Sequence, residues 1–251
     1  MQSGITLDNV WFAYEKNCPV IKNISLKICQ GDYLSIIGIN GSGKSTLTYL
    51  FNGLIPHFVR GHLTGDVTVD GINTRTKNVA YFAKKVGMLF QNPDFSLFNL
   101  TVVQEIEFGL KNLQLDKQKD RIRRALSFVG LTAYSQRDPQ TLSLGEKQKV
   151  SLACILAQDT DYIVLDEPTA MLDYKSSLEL YKILGNLHRE GKTIIVVEHD
   201  TDLIWQFSQK VLILDKGSLQ AFGLTKKILT RKKLLQTFAI KPPNTNYRLD
   251  K

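Results

Sequence analysis

Gly38-Ile39-Asn40-Gly41-Ser42-Gly43-Lys44-Ser45-Thr46 follows the apolar run Tyr33-Leu34-Ser35-Ile36-Ile37 and precedes a helix-like run from Leu47 to Leu54. A glycine-rich turn between a strand and a helix is built to wrap a phosphate chain. Its glycines let backbone N–H groups face inward. The helix that opens near Lys44 adds unpaired N–H groups and the positive end of its dipole. Lys44 supplies a point charge for the β- and γ-phosphates, and the Ser45 hydroxyl is placed to join a Mg²⁺ shell. Asn40, Gly41, Ser42, Gly43 and Thr46 complete the loop. The expected ligand is a nucleoside triphosphate.

Upstream, Ile5, Leu7, Val10 and Phe12 predict a strand with a slip in its alternation. Ile24, Leu26 and Ile28 keep a clean period of two and end at the turn Gln30-Gly31-Asp32. Gly65 to Gly71 reads as a short strand closed by a turn, and Val86 to Phe90 as another apolar strand. From Thr101 to Val129 the period changes. Val102, Ile106 and Leu110 share one helical face, as do Ile122, Leu126 and Val129. Ser143 with Glu146 has capping-box spacing ahead of a further helix. Tyr162 to Leu165 and Thr193 to Val197 are continuous apolar strands with a helix, Asp173 to Glu190, between them. Val211 to Leu214 and Leu219 to Phe222 flank a hairpin at Lys216-Gly217. Continuous apolar strands alternating with helices imply a parallel sheet covered on both faces. Ligands of such sheets lie at the carboxyl ends of the strands.

Four polar features fall at those ends: the phosphate loop, Gln91, Asp166 and His199. Asp166 is placed to hold Mg²⁺, and Glu167 to polarise an attacking water. His199 is placed to bond the γ-phosphate and keep Glu167 and the water in line. Gln91 carries donor and acceptor for the metal and the water. Leu142-Ser143-Leu144-Gly145-Glu146 offers a hydroxyl and a glycine N–H at a helix start, an anion site by geometry. A chain with its own phosphate loop needs a second such site only if that site serves a nucleotide on another subunit.

The chain has 251 residues, 43% of them hydrophobic, enough for one α/β body with a smaller subdomain. Its three cysteines, Cys18, Cys29 and Cys154, lack metal-ligand spacing and suit a reducing compartment. No apolar stretch reaches the roughly 18 residues of a membrane span, and the N-terminus does not read as a signal peptide. The net charge of +8 concentrates at Lys117 to Arg124 and Lys226 to Lys233. Solubility, an anionic membrane surface and nucleic acid all remain open as its meaning, although no aromatic residues interleave as a base-stacking surface requires.

Together these motifs, in this order, resemble the ATP-binding cassette (ABC) family over essentially the whole chain. The resemblance implies a P-loop NTPase of ABC type: a parallel core, an antiparallel β subdomain and a helical insertion. It divides a single domain, 1–251, into β subdomain and phosphate-loop core (1–100), helical insertion and signature helix (101–158), remaining catalytic core (159–223) and a short basic extension (224–251). It makes Gln91 the Q-loop glutamine, Ile163 to Asp166 the Walker B strand, Glu167 the catalytic glutamate, Ala170-Met171-Leu172-Asp173 the D-loop and His199 the switch histidine. Tyr14 looks like the aromatic that stacks on adenine. Ser143 and Gly145 belong to the signature, which departs from Leu-Ser-Gly-Gly-Gln at Leu144 and Glu146. In this family two such domains sandwich two ATP molecules head to tail.

A narrower resemblance, through Gln91-Asn92-Pro93-Asp94, Leu97-Phe98, Thr101-Val102, Asn52 to Pro56 and the ending near Ile240 to Pro243, is to the ATPases of energy-coupling factor importers of vitamins, cobalt and nickel. It implies ATP and Mg²⁺, a second ATPase subunit (a heterodimer, with a homodimer open), an integral membrane coupling subunit, a separate substrate-binding membrane subunit, no nucleic acid, and a peripheral position on the cytoplasmic face of the membrane. Other ABC importers or exporters are the alternative. A nucleic-acid-associated cassette fits less well, since Lys44 and Ser143 stand too close for a long coiled-coil or zinc-bearing insertion. Phe95, Leu97 and Phe98 are either packed under the insertion or offered to a partner.

Overall fold

The computed structural model describes residues 3–245. Among these residues ten strands form two sheets. β1 (Gly4–Ala13), β2 (Pro19–Cys29), β4 (His62–Val69) and β5 (Ile72–Asn73) make an antiparallel sheet in the order β2-β1-β4-β5. β3 (Tyr33–Ile37), β6 (Val86–Leu89), β7 (Tyr162–Asp166), β8 (Thr193–Val197), β9 (Lys210–Asp215) and β10 (Ser218–Leu224) make the second, in the order β10-β9-β3-β8-β7-β6. Its neighbours are parallel from β9 through β6, and β10 closes the edge as an antiparallel hairpin.

Every residue of β3, β7 and β8 is buried, as continuous apolar runs require. Alternate side chains feed two cores. Tyr33, Ile163, Leu165, Ile194 and Val196 pack beneath the helices Val102–Asn112, Gln118–Phe128, Leu144–Gln158 and Tyr174–Arg189. Leu34, Ile36, Val164, Ile195 and Val197 pack against β1, β2, β4 and the helix Lys44–Phe51. The antiparallel sheet is thus the cover of one face of the parallel one. The slip expected in β1 is a bulge: the pairing with β2 shifts between Leu7 and Val10, and Asn9 takes φ 49°. It restores Val10 and Phe12 to the buried face after Asp8 and Asn9 have faced solvent.

Two helices of the insertion, Val102–Asn112 and Leu144–Gln158, start at side-chain caps, whereas Gln118–Phe128 has none. Thr101 accepts from the Gln104 N–H, and Ser143 and Glu146 form a complete capping box. Gly109, inside the first of these helices, lies against the Gln158 amide, which a Cβ there would approach to 3.0 Å. The segment expected as a basic extension carries two short helices, Thr225–Ile228 and Lys232–Thr237. Ile228, Leu229 and Leu235 are buried with Ile37, Ile204, Val211 and Ile213 in a third core, so 224–240 is integral to the body. The last residues of that segment, 246–251, lie outside the described residues. Among the described residues no helix is long and apolar enough to cross a membrane.

Candidate functional site

β3 ends against the glycine-rich loop. Gly38 has no room for a side chain: a Cβ would stand 2.1 Å from the Leu214 carbonyl oxygen and 2.8 Å from Ser42 Oγ. Gly43, the N-cap of the helix Lys44–Phe51, has φ 102°, in the left-handed region, and no side chain caps that helix. Its first N–H groups are therefore left for a ligand, beside a cavity of about 360 Å³ lined by Asn40, Gly41, Gly43, Lys44, Ser45, Thr46, Gln91 and Glu167, with Val20 at one wall. Ser42 is buried and its hydroxyl has no partner. Tyr14 is half-exposed, and its hydroxyl bonds Thr46 Oγ1 at 2.8 Å, which ties its ring to the first turn of the helix.

Lys44 is buried, and its ammonium donates to the Gly38 and Ile39 carbonyls at 3.0 and 3.2 Å. Burial lowers its pKa, while the Glu167 and Asp166 charges raise it. Asp166 ends β7. Burial raises its pKa and the Glu167 charge adds to this, whereas the Ser45 hydroxyl, Lys44 and His199 pull it down. Its Oδ1 is buried without a hydrogen-bond partner. A desolvated carboxylate oxygen with a free lone pair, next to a serine hydroxyl, fits a divalent cation.

Glu167 is the centre of the charge network. His199 Nε2 lies 2.8 Å from its Oε1, Gln91 Nε2 donates to its Oε2 at 3.1 Å, and Lys44 Nζ is 3.8 Å from Oε1. Its backbone takes φ 49°, unusual for a residue with a side chain, and its N–H is tied to the Val197 carbonyl at 3.1 Å. Three strand ends, those of β6, β7 and β8, thus deliver Gln91, Glu167 and His199 to one another. Gln91, expected beside the metal, bonds Glu167. From the other side the helix Leu144–Gln158 grips the glutamine's segment: Gln148 Nε2 donates to the Gln91 carbonyl at 3.3 Å and Lys147 pairs with Asp94 at 2.6 Å.

Ser143 and Gly145 do not line this cavity. Ser143 is exposed at the start of its helix, where its N–H and hydroxyl both donate to Glu146 Oε2 at 2.8 Å. The backbone bond from Ser143 leads the causes that hold the Glu146 carboxyl below its usual pKa, so it stays ionised. The apolar trio after Gln91 divides. Leu97 is buried in the core, whereas Phe95 is 89% and Phe98 64% exposed. Phe98 meets Phe108 edge-on at 5.0 Å, and Leu100 is exposed nearby in sequence. The buried Glu105 carboxylate accepts from the N–H groups of Phe98 and Asn99 and fixes that stretch.

One residue at the site went unassigned in the sequence. Glu198, between β8 and His199, is buried, and its carboxylate collects donors from three segments. The only signal for it was an acid directly after a continuous apolar strand.

The fold and this constellation define a phosphate-loop ATPase, and comparison with known proteins places it within that class. The model of the ABC transporter family matches residues 21–170, and the chain belongs to that family. A putative ABC transporter ATP-binding protein of Pyrococcus furiosus is 45% identical over 87% of this chain and 83% of its own. The energy-coupling factor transporter ATP-binding protein EcfA of Methanothermobacter thermautotrophicus is 36% identical over 96% of this chain and 77% of its own. Among solved structures, cbiO1 of Clostridium perfringens, part of the ABC transporter complex cbiONQ, superposes with a TM-score of 0.82 at 28% identity, covering 94% of each chain. The dimeric cassette MJ0796 with ADP and Pi bound superposes with a TM-score of 0.76 at 28% identity, over 88% of this chain and 98% of that one. The chain is an ATP-binding and ATP-hydrolysing cassette of an ABC transporter.

Proposed function

We propose that this cassette energises a membrane importer of the energy-coupling factor type, from the cytoplasmic face of the membrane. The observation that carries the reading is the pair of exposed rings, Phe95 and Phe98, directly after Gln91. Exposed aromatics set on a hydrogen-bonded stretch are the anchors a partner helix buries. The likeness to EcfA and to cbiO1 supports the subgroup. A vitamin, cobalt or nickel is then the cargo, and a separate membrane subunit selects it.

In this reading the phosphate-loop N–H groups and Lys44 bind the triphosphate, with Asn40, Gly41, Ser42, Gly43 and Thr46 shaping the cradle and Tyr14 against the adenine. Ser45, Asp166 and Gln91 would hold Mg²⁺, which when bound neutralises phosphate charge. Glu167 accepts the proton of the attacking water, and His199 holds the carboxylate in line. Ser143 and Gly145 serve the nucleotide of a second ATPase subunit, as their separation from this chain's own cavity supports. The like-shaped cassette with ADP and Pi is dimeric. Leu144 and Glu146 favour an asymmetric pair, a heterodimer, because one imperfect site is tolerated there; a homodimer is the other arrangement.

Purification in mild detergent tests the proposal. Copurification with an integral coupling subunit and a small substrate-binding membrane protein is the expected result. Copurification with nucleic acid, or with an exporter's membrane domain, would overturn it.

A further inference from the structure

Glu198 has its carboxylate in the interior, 4% exposed, where an unsatisfied charge is costly. Four donors surround it. Oε1 accepts from the backbone N–H groups of His199 and Asp200 at 2.7 and 3.1 Å. Oε2 accepts from the Thr169 hydroxyl at 2.6 Å and from the Tyr181 hydroxyl at 3.1 Å. No lysine or arginine is paired with it among the described residues. Its charge is held entirely by hydrogen bonds, the strong, charge-assisted kind.

Those donors come from three places that matter to the site. Thr169 lies two residues after Glu167, on the turn in which the Ala170 N–H returns to the Glu167 carbonyl at 3.2 Å. His199 and Asp200 form the turn after β8, and Asp200 caps the helix Thr201–Phe207 through the Asp202 and Leu203 N–H groups. Tyr181 belongs to the helix that follows the Ala170 to Asp173 turn, and it is fully buried. The backbone of Glu198 itself is pinned to β3 through the Ile36 carbonyl at 3.1 Å. One carboxylate therefore joins the turn that carries Glu167 to the turn that carries His199. The Glu167 and His199 side chains themselves meet at 2.8 Å.

We infer that Glu198 is a positioning residue for ATP hydrolysis: its carboxylate locks the Glu167 turn and the His199 turn in one register. The inference rests on the reading of Glu167 and His199 as the pair that activates water. Misplacing a catalytic group by about 1 Å can cost on the order of 100-fold in rate. Among the described residues, none of the four bonds to the Glu198 carboxylate is made by the glycine-rich loop or Lys44. Loss of the clamp should therefore lower kcat while sparing nucleotide affinity.

The experiment compares steady-state ATPase of the full chain, in its purified complex, with Mg·ATP affinity and melting for Glu198→Ala, Glu198→Gln, Thr169→Val and Glu167→Gln. Glu198→Ala should lower kcat at least tenfold and leave ATP affinity within about twofold at a temperature where it is fully folded. Glu198→Gln, which keeps an acceptor for both backbone N–H groups, should recover most of the rate. Thr169→Val removes the link between the turns at a half-buried position; it should lower kcat several-fold and decides the matter should Glu198→Ala not fold. An unaltered kcat in folded Glu198→Ala or in Thr169→Val overturns the inference. So does a fall in affinity that accounts for the whole loss of rate. An active Glu167→Gln would instead sink the underlying reading of the site.

Discussion

Removing the ammonium of Lys44 separates nucleotide binding from the rest of the site. The side chain is 5% exposed, bonded to two carbonyls of the loop, with the Glu167 carboxylate 3.8 Å away. Burial has already stripped it of water, so a phosphate arriving at the loop finds a preorganised cation. A charge-assisted hydrogen bond of this kind contributes about 1.5–3 kcal/mol, or roughly 10- to 150-fold in Kd. Lys44→Ala should weaken binding of a non-hydrolysable ATP analogue by that factor in a calorimetric titration. The cavity it leaves opens toward solvent, and water can take over the Ile39 carbonyl, so the fold should survive. Melting of the free variant checks that point. A folded Lys44→Ala chain whose affinity stays within threefold of the parent would refute the phosphate-loop assignment.

Asp166→Asn should act in opposite directions on stability and binding. A carboxyl whose folded pKa lies above its ordinary 3.8 holds its proton more tightly folded than unfolded. The stability it lends is complete below 3.8 and is lost as pH rises through the raised value, so at neutral pH the ionised group is a cost. The amide should raise the Tm of the nucleotide-free chain near pH 7 and remove most of the gain in ATP affinity that Mg²⁺ confers; a lower Tm with an intact Mg²⁺ effect would contradict both. Ser143→Arg should abolish ATP-driven association, read by light scattering, while the monomer binds ATP as before; a weakened monomer would show that Ser143 serves its own chain's nucleotide. Phe98→Asp should lose the membrane subunit in a pull-down and keep its ATP affinity and melting, because the ring is exposed in the free chain; normal assembly would remove the docking role.

The strand ends were legible because their signals are local. A continuous apolar run that stops at a polar residue marks β7 before Asp166 and β8 before Glu198 and His199, and the glycines around Lys44 announce their own backbone. The capping box at Ser143 and Glu146 was equally local. The slip in β1 could be seen, but not its reason, since that lies in partners on both sides, β2 and β4. Leu97 and Phe98 are adjacent and similarly apolar, and only the packing of Leu97 beneath the insertion separates them. The helices Thr225–Ile228 and Lys232–Thr237 are too short to display a period, and their lysines mask Ile228, Leu229 and Leu235. Glu198 shows the limit most clearly. Its partners Thr169 and Tyr181 stand 29 and 17 positions away, and nothing in its own neighbourhood predicts that they converge.

The most direct measurement of the central claim is phosphate release from Mg·ATP by the assembled complex, with Glu167→Gln beside the parent chain. The glutamine keeps the size of the side chain and bonding groups for Gln91 and His199, but it cannot accept the proton of water. Steady release by the parent is expected, together with a Glu167→Gln variant that binds ATP with unimpaired affinity and releases phosphate at least 100-fold more slowly, about 3 kcal/mol of lost transition-state stabilisation. Release by Glu167→Gln near the parent rate would contradict the account.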